Sequence, residues 1–325
     1  MIIEAKNGTY EFDETKQRQQ SDVSFFTSFK GIHKETGNPI VVRKLLHESQ
    51  IPSETHTDAA EQVLTHIHNL HPSIAQILDV CIVNNEVYVI REYIQGISLQ
   101  QLLFTPDFPQ YRNPFLMLHI IKQVLELLEV IHNYGIIHRS ICPQHIFIPC
   151  NELGEINTLE LQIKVVAFEY AQIQGNSLFA FSRTPIMRTY SPPELVLKFD
   201  MLITTVTDIY STGVCLYECF SRKPAFDTDN KDLLFHTQVA FPLKKHWNIP
   251  KELFAIIQKA THKHVFTKPP SRYSHENLEY ALKLACSMRY LQATDMKHDI
   301  ELYIQHLHNS KKQSLFKKIA NFTKR

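Results

Sequence analysis

Glycine and tryptophan are scarce in this 325-residue chain, which holds 8 of the first and 1 of the second. With 16 prolines, no repeat and no Gly/Ser-rich linker, any division into domains must be internal to one compact unit. An excess of charge of one sign is also lacking: 34 Lys and Arg against 33 Asp and Glu leave +1, without the electrostatic footprint of a general nucleic-acid binder. No stretch approaches the roughly 20 apolar residues that span a bilayer, so integral membrane insertion is excluded. The opening MIIEAKNGTYEFDE begins on an apolar run too short for a signal sequence, and six cysteines (Cys81, Cys142, Cys150, Cys215, Cys219, Cys286) are scattered. Together these imply a reducing, cytoplasmic address. The 18 histidines form no H-E-x-x-H or comparable cluster, so no metal site is expected. What is present is 44% hydrophobic and 21% charged, enough for a sizeable core.

Two lobes and a tail follow from the patterning. Residues 1–94 alternate short apolar runs with polar turns, at Tyr10 to Asp13, Ser24 to Lys30, Pro39 to Leu46, Ile77 to Val83 and Val87 to Ile94, which predicts a small antiparallel sheet of five strands. It is interrupted by DAAEQVLTHIHNL, where Ala60, Val63, Leu64, Ile67 and Leu70 fall at helical spacing. Residues 95–285 read as a helical lobe. Its first long helix, from Pro114 to the stop at Gly135, is apolar on nearly all sides and is expected to be buried. A β-hairpin around NELGE follows, and then the helices TDIYSTGVCLYECF, ELFAIIQKATH and SHENLEYALKLACSM. Residues 286–325 separate into a helix with the stripe Met296, Ile300, Ile304 and Leu307, which should dock on the large lobe, and a basic end.

Four motifs then occur in order: IIHRSICPQHIFI after the buried helix, IKVVAFEYA beyond the hairpin, RTYSPPEL, and TDIYSTGVCLYE. Their order and spacing resemble those of the protein kinases over roughly residues 10–285, where the patterns read H-R-D-x-x-x-x-N, D-F-G, A-P-E and an Asp opening the next buried helix. HPSIAQILDV, VYVIREYIQGISL and PPSRY resemble the segment after the small-lobe helix, the hinge, and the late large-lobe Arg turn. The resemblance implies an α+β, bilobal kinase-like fold. It also implies structural roles for His138, Arg139, Glu194, Asp208, Gly213 and Arg272, with Glu194 paired to Arg272 and Asp208 accepting from the backbone near His138.

Phosphoryl transfer needs a Gly-rich loop over the phosphates, a lysine that holds them, and Asp and Asn on magnesium. In this chain Ser21, Val23 and Phe26 fall where three glycines would stand, so side chains occupy the space in which backbone amides approach phosphate. Arg43 takes the lysine position unless the register slips by one to Lys44, and the matching helix acid falls on Glu61 or Gln62. The base Asp is Ser140, the phosphate-steering Lys is Cys142, the magnesium Asn is His145 and the metal Asp is Ala167. No carboxylate remains at the magnesium positions. Arg91, with Glu92 and Ile94, completes the degenerate cleft. Arg91 either reaches solvent or pairs with Glu92 on a slipped register; otherwise it must find Glu61 or Glu169.

Ser140 beside His138 suggests nucleophilic catalysis, against which His138 in this fold supports the loop from the core. Cys142, His145 and Cys150 have a zinc-like C-x-x-H-x-x-x-x-C spacing, but strand alternation points them apart. The functional expectation is a pseudokinase: a binding scaffold or allosteric regulator without bound ATP or magnesium, acting on a protein partner and not on nucleic acid. The alternative is an atypical kinase, or another phosphoryl or nucleotidyl transferase, that binds ATP with rearranged residues drawn from Glu169, Asp200 and His145. Residues 311–325, KKQSLFKKIANFTKR, hold six Lys or Arg and no acid, with Leu315, Phe316, Ile319 and Phe322 at helical spacing. They suit peripheral contact with an anionic membrane or an acidic partner, or form a solvated terminus.

Overall fold

A computed structural model describes residues 1–17, 26–45, 69–84, 86–173, 189–228 and 230–322, together with Leu64 and Ile67, and the backbone alone over 311–322. The small lobe is a sheet of six strands: β1 (Ile2–Ala5), β2 (Gly8–Gln17), β3 (Phe26–His33), β4 (Pro39–Leu45), β5 (Ile77–Val83) and β6 (Glu86–Glu92). Their order is β1-β2-β3-β4-β6-β5, antiparallel throughout. The sequence reading gave five strands and missed β1, whose four residues are too few for alternation to stand out.

This extra strand changes the lobe. The sheet curls until β1 approaches β5, and the Asn7 side chain donates to the Leu78 carbonyl and to Asp79. A second core then closes on the face away from the large lobe, built from Ile3, Tyr10, Phe12, Phe29, Ile40, Val42, Tyr88 and Ile90. Tyr10 is fully buried and its hydroxyl donates to Asp79 at 2.7 Å. Strands β4 and β6 are therefore covered on both faces, which is why IVV and VYVI are nearly continuous apolar runs. The register puts Arg43 opposite Val89 on the inward face, and Lys44 opposite Tyr88 on the outer one.

Of the helix expected over residues 58–70, Leu64 and Ile67 are helical and buried, and Asn69 and Leu70 form a turn; the others, with Glu61 and Gln62, lie outside the described residues, as do Ser21 and Val23. The large lobe begins with β7 (Gly96–Ser98), which with β9 (Ile146–Pro149) and β10 (Lys164–Val165) forms one small sheet. A second ladder joins β8 (Ile136–Ile137) to β11 (Gln172–Ile173). The helices are α1 (Leu99–Phe104), α2 (Pro114–Asn133), α3 (Pro193–Val196), α4 (Thr205–Ser221), α5 (Lys231–Ala240), α6 (Lys251–Ala260), α7 (His275–Ser287) and α8 (Ala293–Phe322). Asn113 caps α2 by accepting from Leu116 N, with Pro114 in the first turn where no N–H is needed.

Helix α4 is buried along nearly its whole length and crosses α6 closely. A Cβ on Gly213 would lie 2.7 Å from the Ala260 Cβ, so only glycine permits this approach. Met296, Ile300 and Tyr303 of α8 join the main core, with Ile304 and Leu307 packed against it, so this stretch of α8 docks on the large lobe. That core is continuous between the lobes, taking in Phe26, Val87 and Val89 from the sheet and Phe168 and Tyr170 from below it.

Candidate functional site

The site lies where the inward face of the sheet meets the loops after β8 and β10. Strand alternation aims Arg43 into this space, and its Nε stands 2.7 Å from Glu169 Oε1 in an ion pair whose side chains are 10% and 2% exposed. An Arg43 Nη donates to the Tyr170 hydroxyl at 3.3 Å, and the guanidinium lies 5.2 Å from the centre of the Phe26 ring. Phe26 in turn meets Tyr170 edge to face at 5.7 Å. Burial weakens the hold of Arg43 on its proton, but the Glu169 carboxylate and the Tyr170 hydroxyl together more than offset this and its pKa rises. Four side chains from β3, β4 and the loop after β10 thus close on one another across the lobes.

Lys44 is directed to the opposite face, 2.6 Å from Glu86 and 3.4 Å from Glu14, so no slip brings it to the cleft. The expected partnership of Arg91 with Glu169 is corrected: Glu169 is taken by Arg43, and Arg91 Nη1 donates to the Glu92 carbonyl at 2.9 Å. Its other expected partner, Glu61, is outside the described residues. The reason is reach along the sheet, since Arg91 pairs with Val41, two residues before Arg43 on β4. Glu92 holds Lys164 at 2.9 Å and accepts from Gln76 N, and Ile94 is buried.

The loop after β8 is held by hydrogen bonds among its replaced residues. His138 Nε2 lies 3.0 Å from the Val166 carbonyl, and its ring packs edge to face on Phe168 at 4.6 Å. Ser140 N donates to His138 Nδ1 and Ser140 Oγ donates to the Ala167 carbonyl at 3.2 Å. Ser140 Oγ also lies 3.1 Å from His138 Nδ1, yet both residues are buried and the far ring nitrogen faces a carbonyl, so no nucleophile of the serine–histidine type is assembled. Ala167 adopts φ 73°, a left-handed conformation that costs a residue bearing a Cβ roughly 1–2 kcal/mol. His145 Nδ1 is 2.7 Å from the Ser140 carbonyl, and burial pulls its pKa down to about 3, with the nearby Arg43 and Arg91 adding to the effect. Burial pushes the Cys142 thiol up to about 12. Among the described residues no group of His, Cys, Asp and Glu could hold a metal ion, the Cys142, His145 and Cys150 set included.

Below this loop Asp208 acts as a backbone clamp. Its Oδ2 accepts from His138 N at 2.8 Å, its Oδ1 from Arg139 N at 2.8 Å, and His132 Nε2 adds a contact at 2.9 Å. Arg139 sits at φ 64° with Nε donating to the Tyr170 carbonyl. Glu194 is fully buried, but its partner is not Arg272. Arg289 meets it through two bonds, Nη1 to Oε1 at 2.7 Å and Nη2 to Oε2 at 3.0 Å, with neither side chain exposed. Arg272 lies on an exposed 3-10 turn. The physical reason is packing: just after α7 the chain turns inward and buries Arg289 beside Tyr290, whereas the PPSRY turn leaves Arg272 exposed. Sequence reasoning also missed Glu218, which accepts from the Tyr190 hydroxyl at 2.7 Å and from Ala225 N, and whose carboxyl burial lifts to about 7. The signal that could have found the Arg43 partner is the tripeptide Ala167-Phe168-Glu169, which loses a carboxylate at its first position and gains one at its third.

Residues 24–298 match the family model described as the protein kinase domain. The chain is 29% identical over 220 residues to "Serine/threonine-protein kinase PrkC" of Bacillus subtilis (strain 168), which covers 66% of this chain and 31% of that protein. It is 27% identical over 199 residues to "Probable serine/threonine-protein kinase PknB" of Lactococcus lactis subsp. lactis (strain IL1403), covering 60% and 30%. The match thus takes in less than a third of either relative's length. Among the described residues no helix is long and apolar enough to cross a membrane. An antiparallel small lobe, a helical large lobe held by Asp208 and Glu194, and a family match over most of the sequence converge: this chain belongs to the protein kinase family.

Proposed function

We propose that this protein is a catalytically inactive member of the family, a pseudokinase that serves as a protein-binding scaffold or allosteric module. The observation that carries this reading is the buried Arg43–Glu169 pair, closed over by Phe26 and Tyr170. The cation that would hold phosphate is neutralised from within, by a side chain rooted two residues from the lost metal carboxylate. Magnesium and ATP do not fit the residues present. Magnesium takes oxygen ligands in a near-octahedral shell, while Ala167 offers only a methyl group and His145 is a half-buried imidazole already bonded to the Ser140 carbonyl. Every component of phosphoryl transfer is affected, so no single bypass restores it. The function then rests on surfaces, with the large lobe and residues 167–194 presented to a protein partner.

The second reading, an active transferase with rearranged residues, draws support from the relatives, whose printed names are those of kinases. Neither Glu169 nor His145 favours it: Glu169 is engaged with Arg43, and His145 stays neutral and bonded to the Ser140 carbonyl. The test is thermal unfolding with ATP and magnesium or manganese, alongside labelled-ATP incorporation. A ligand at about 100 times its dissociation constant adds roughly 2.7 kcal/mol, easily seen as a shift in midpoint. The expected result is no shift and no incorporation above a heat-treated control. Incorporation that survives Ser140→Ala and vanishes with Glu169→Ala would establish the transferase instead.

A further inference from the structure

One end of the large lobe is unlike the rest of the surface. The loop between α5 and α6, FPLKKHWNIP, anchors itself with the buried Leu243 and Ile249 but leaves Phe241 55% exposed and Trp247 83% exposed. Lys244 and Lys245, between them, are also exposed, and the Lys244 carbonyl is fixed by the Tyr217 hydroxyl at 3.1 Å. The His246 ring lies beside Trp247 at 5.5 Å. Glu252, in the first turn of α6, is the acid nearest in sequence. A large aromatic held in water next to paired lysines, on a loop whose neighbours are pinned in the core, is a presented surface and not a packing defect.

The course of α8 brings a second basic element to this end. Along α2, Lys297 meets Glu129, Glu301 meets Lys122, and His308 stacks near Phe115, so α8 runs antiparallel to α2. Along α6, Lys259 lies over the Tyr290 ring just before α8, while Glu252 at the other end of α6 acts on Tyr303. Helix α8 therefore leaves the lobe where α2 and α6 begin, which is where the Trp247 loop enters α6. Its backbone stays helical to Phe322, about 20 Å beyond His308 at 1.5 Å per residue, and residues 311–325 contain six Lys or Arg and no acid.

We infer that this end of the protein binds the surface of an anionic lipid bilayer, with the Trp247 loop and the last turns of α8 as its two contacts. Trp favours the headgroup level of a membrane, where its indole N–H is wet and the rest of the ring is not, Phe buries its ring at the acyl boundary, and lysines beside them are attracted to anionic lipid. An acidic protein would satisfy the lysines, but a pocketless aromatic 83% exposed suits a deformable interface better than a rigid one.

Trp247 is the chain's one tryptophan, so its emission reports on this loop alone. The full chain is titrated with phosphatidylcholine vesicles, with vesicles containing roughly a third phosphatidylserine, and with an acidic polypeptide such as polyglutamate. The expected result is a blue shift and quenching by brominated lipid with the anionic vesicles only, reversed by about 1 M salt, where the Debye length falls to about 3 Å. Lys244→Ala with Lys245→Ala should lower the partition coefficient about 30-fold, and Lys317→Ala with Lys318→Ala should act similarly. Trp247→Ala should weaken binding to the anionic vesicles in a sedimentation assay, and unchanged binding would remove this loop from the contact. Absence of binding to anionic vesicles, binding without any change in Trp247 emission, or a shift with polyglutamate but not with vesicles would each overturn the inference.

Discussion

Two buried polar networks in this chain are built to different plans. In the large lobe the carboxylates of Asp208 and Glu194 meet donors that the fold delivers, backbone N–H groups for the first and a two-pronged guanidinium for the second. In the cleft two side-chain charges, Arg43 and Glu169, meet each other within a shell of aromatic rings, one of which, Tyr170, also accepts from Arg43. The lobe network fixes backbone, so removing a member leaves a charge with nowhere to go. The cleft network fills space, and an apolar pair of similar volume could fill it too. Retention of the scaffold beside replacement of the residues at the family's catalytic positions suits the binding module proposed above, because a surface needs a rigid support but no reactive centre.

The sharpest break in this comparison is at Arg289. Arg289→Ala strands Glu194 in the core and should cost about 3 to 5 kcal/mol in urea unfolding, whereas Arg272→Ala on its exposed turn should stay within about 0.5 kcal/mol. Equal losses would restore the partnership that the sequence suggested.

The cleft pair should behave differently in a double-mutant cycle. Arg43→Met or Glu169→Leu alone should cost about 3 kcal/mol, while the double variant should recover most of that loss, since no charge is then left buried. Additive losses would show that the pair has a backbone-fixing role like that of the lobe network.

The pH dependence separates the two regions by sign. The Glu218 carboxyl, lifted by burial to about 7, holds a proton in the folded state that the unfolded chain has already released. Its contribution is therefore complete below about 4.5 and is lost as pH rises through about 7. His145, pulled down to about 3, resists the proton that the unfolded chain accepts, so its contribution is complete above about 6.5 and is lost as pH falls toward about 3. Unfolding midpoints followed across this range should show Glu218→Gln flattening the neutral limb and His145→Asn the acid limb, each by on the order of 2 kcal/mol. A variant that flattens the opposite limb would reverse the assignment.

Much of the fold could be read from the chain because its signals are local and periodic. The apolar runs of β3 to β6, the capped and buried α2, and the spacing of His138, Ala167, Glu194 and Asp208 are properties of neighbours along the sequence. The site was legible as a set of replacements, with Phe26 and Arg43 placed in the cleft by the resemblance to the kinase motifs and Lys44 left open beside Arg43. Its wiring was not. Arg91 and Arg43 lie on one face of one sheet, and which of them reaches Glu169 depends on their height along the strands. Glu194 had two arginines in sequence reach, and an exposed turn and a helix end differ little in composition.

Residue identity and spacing were enough for most of the elements, their order, and the absence of a carboxylate where the family binds magnesium. Packing in three dimensions settles that β1 closes a second core, that Glu169 neutralises Arg43, that Arg289 completes Glu194, and that α8 leaves the lobe at the end where the Trp247 loop enters α6. Each of these joins segments far apart in the chain. The energy of such a contact depends on distance and desolvation, which no pattern of neighbouring residues encodes.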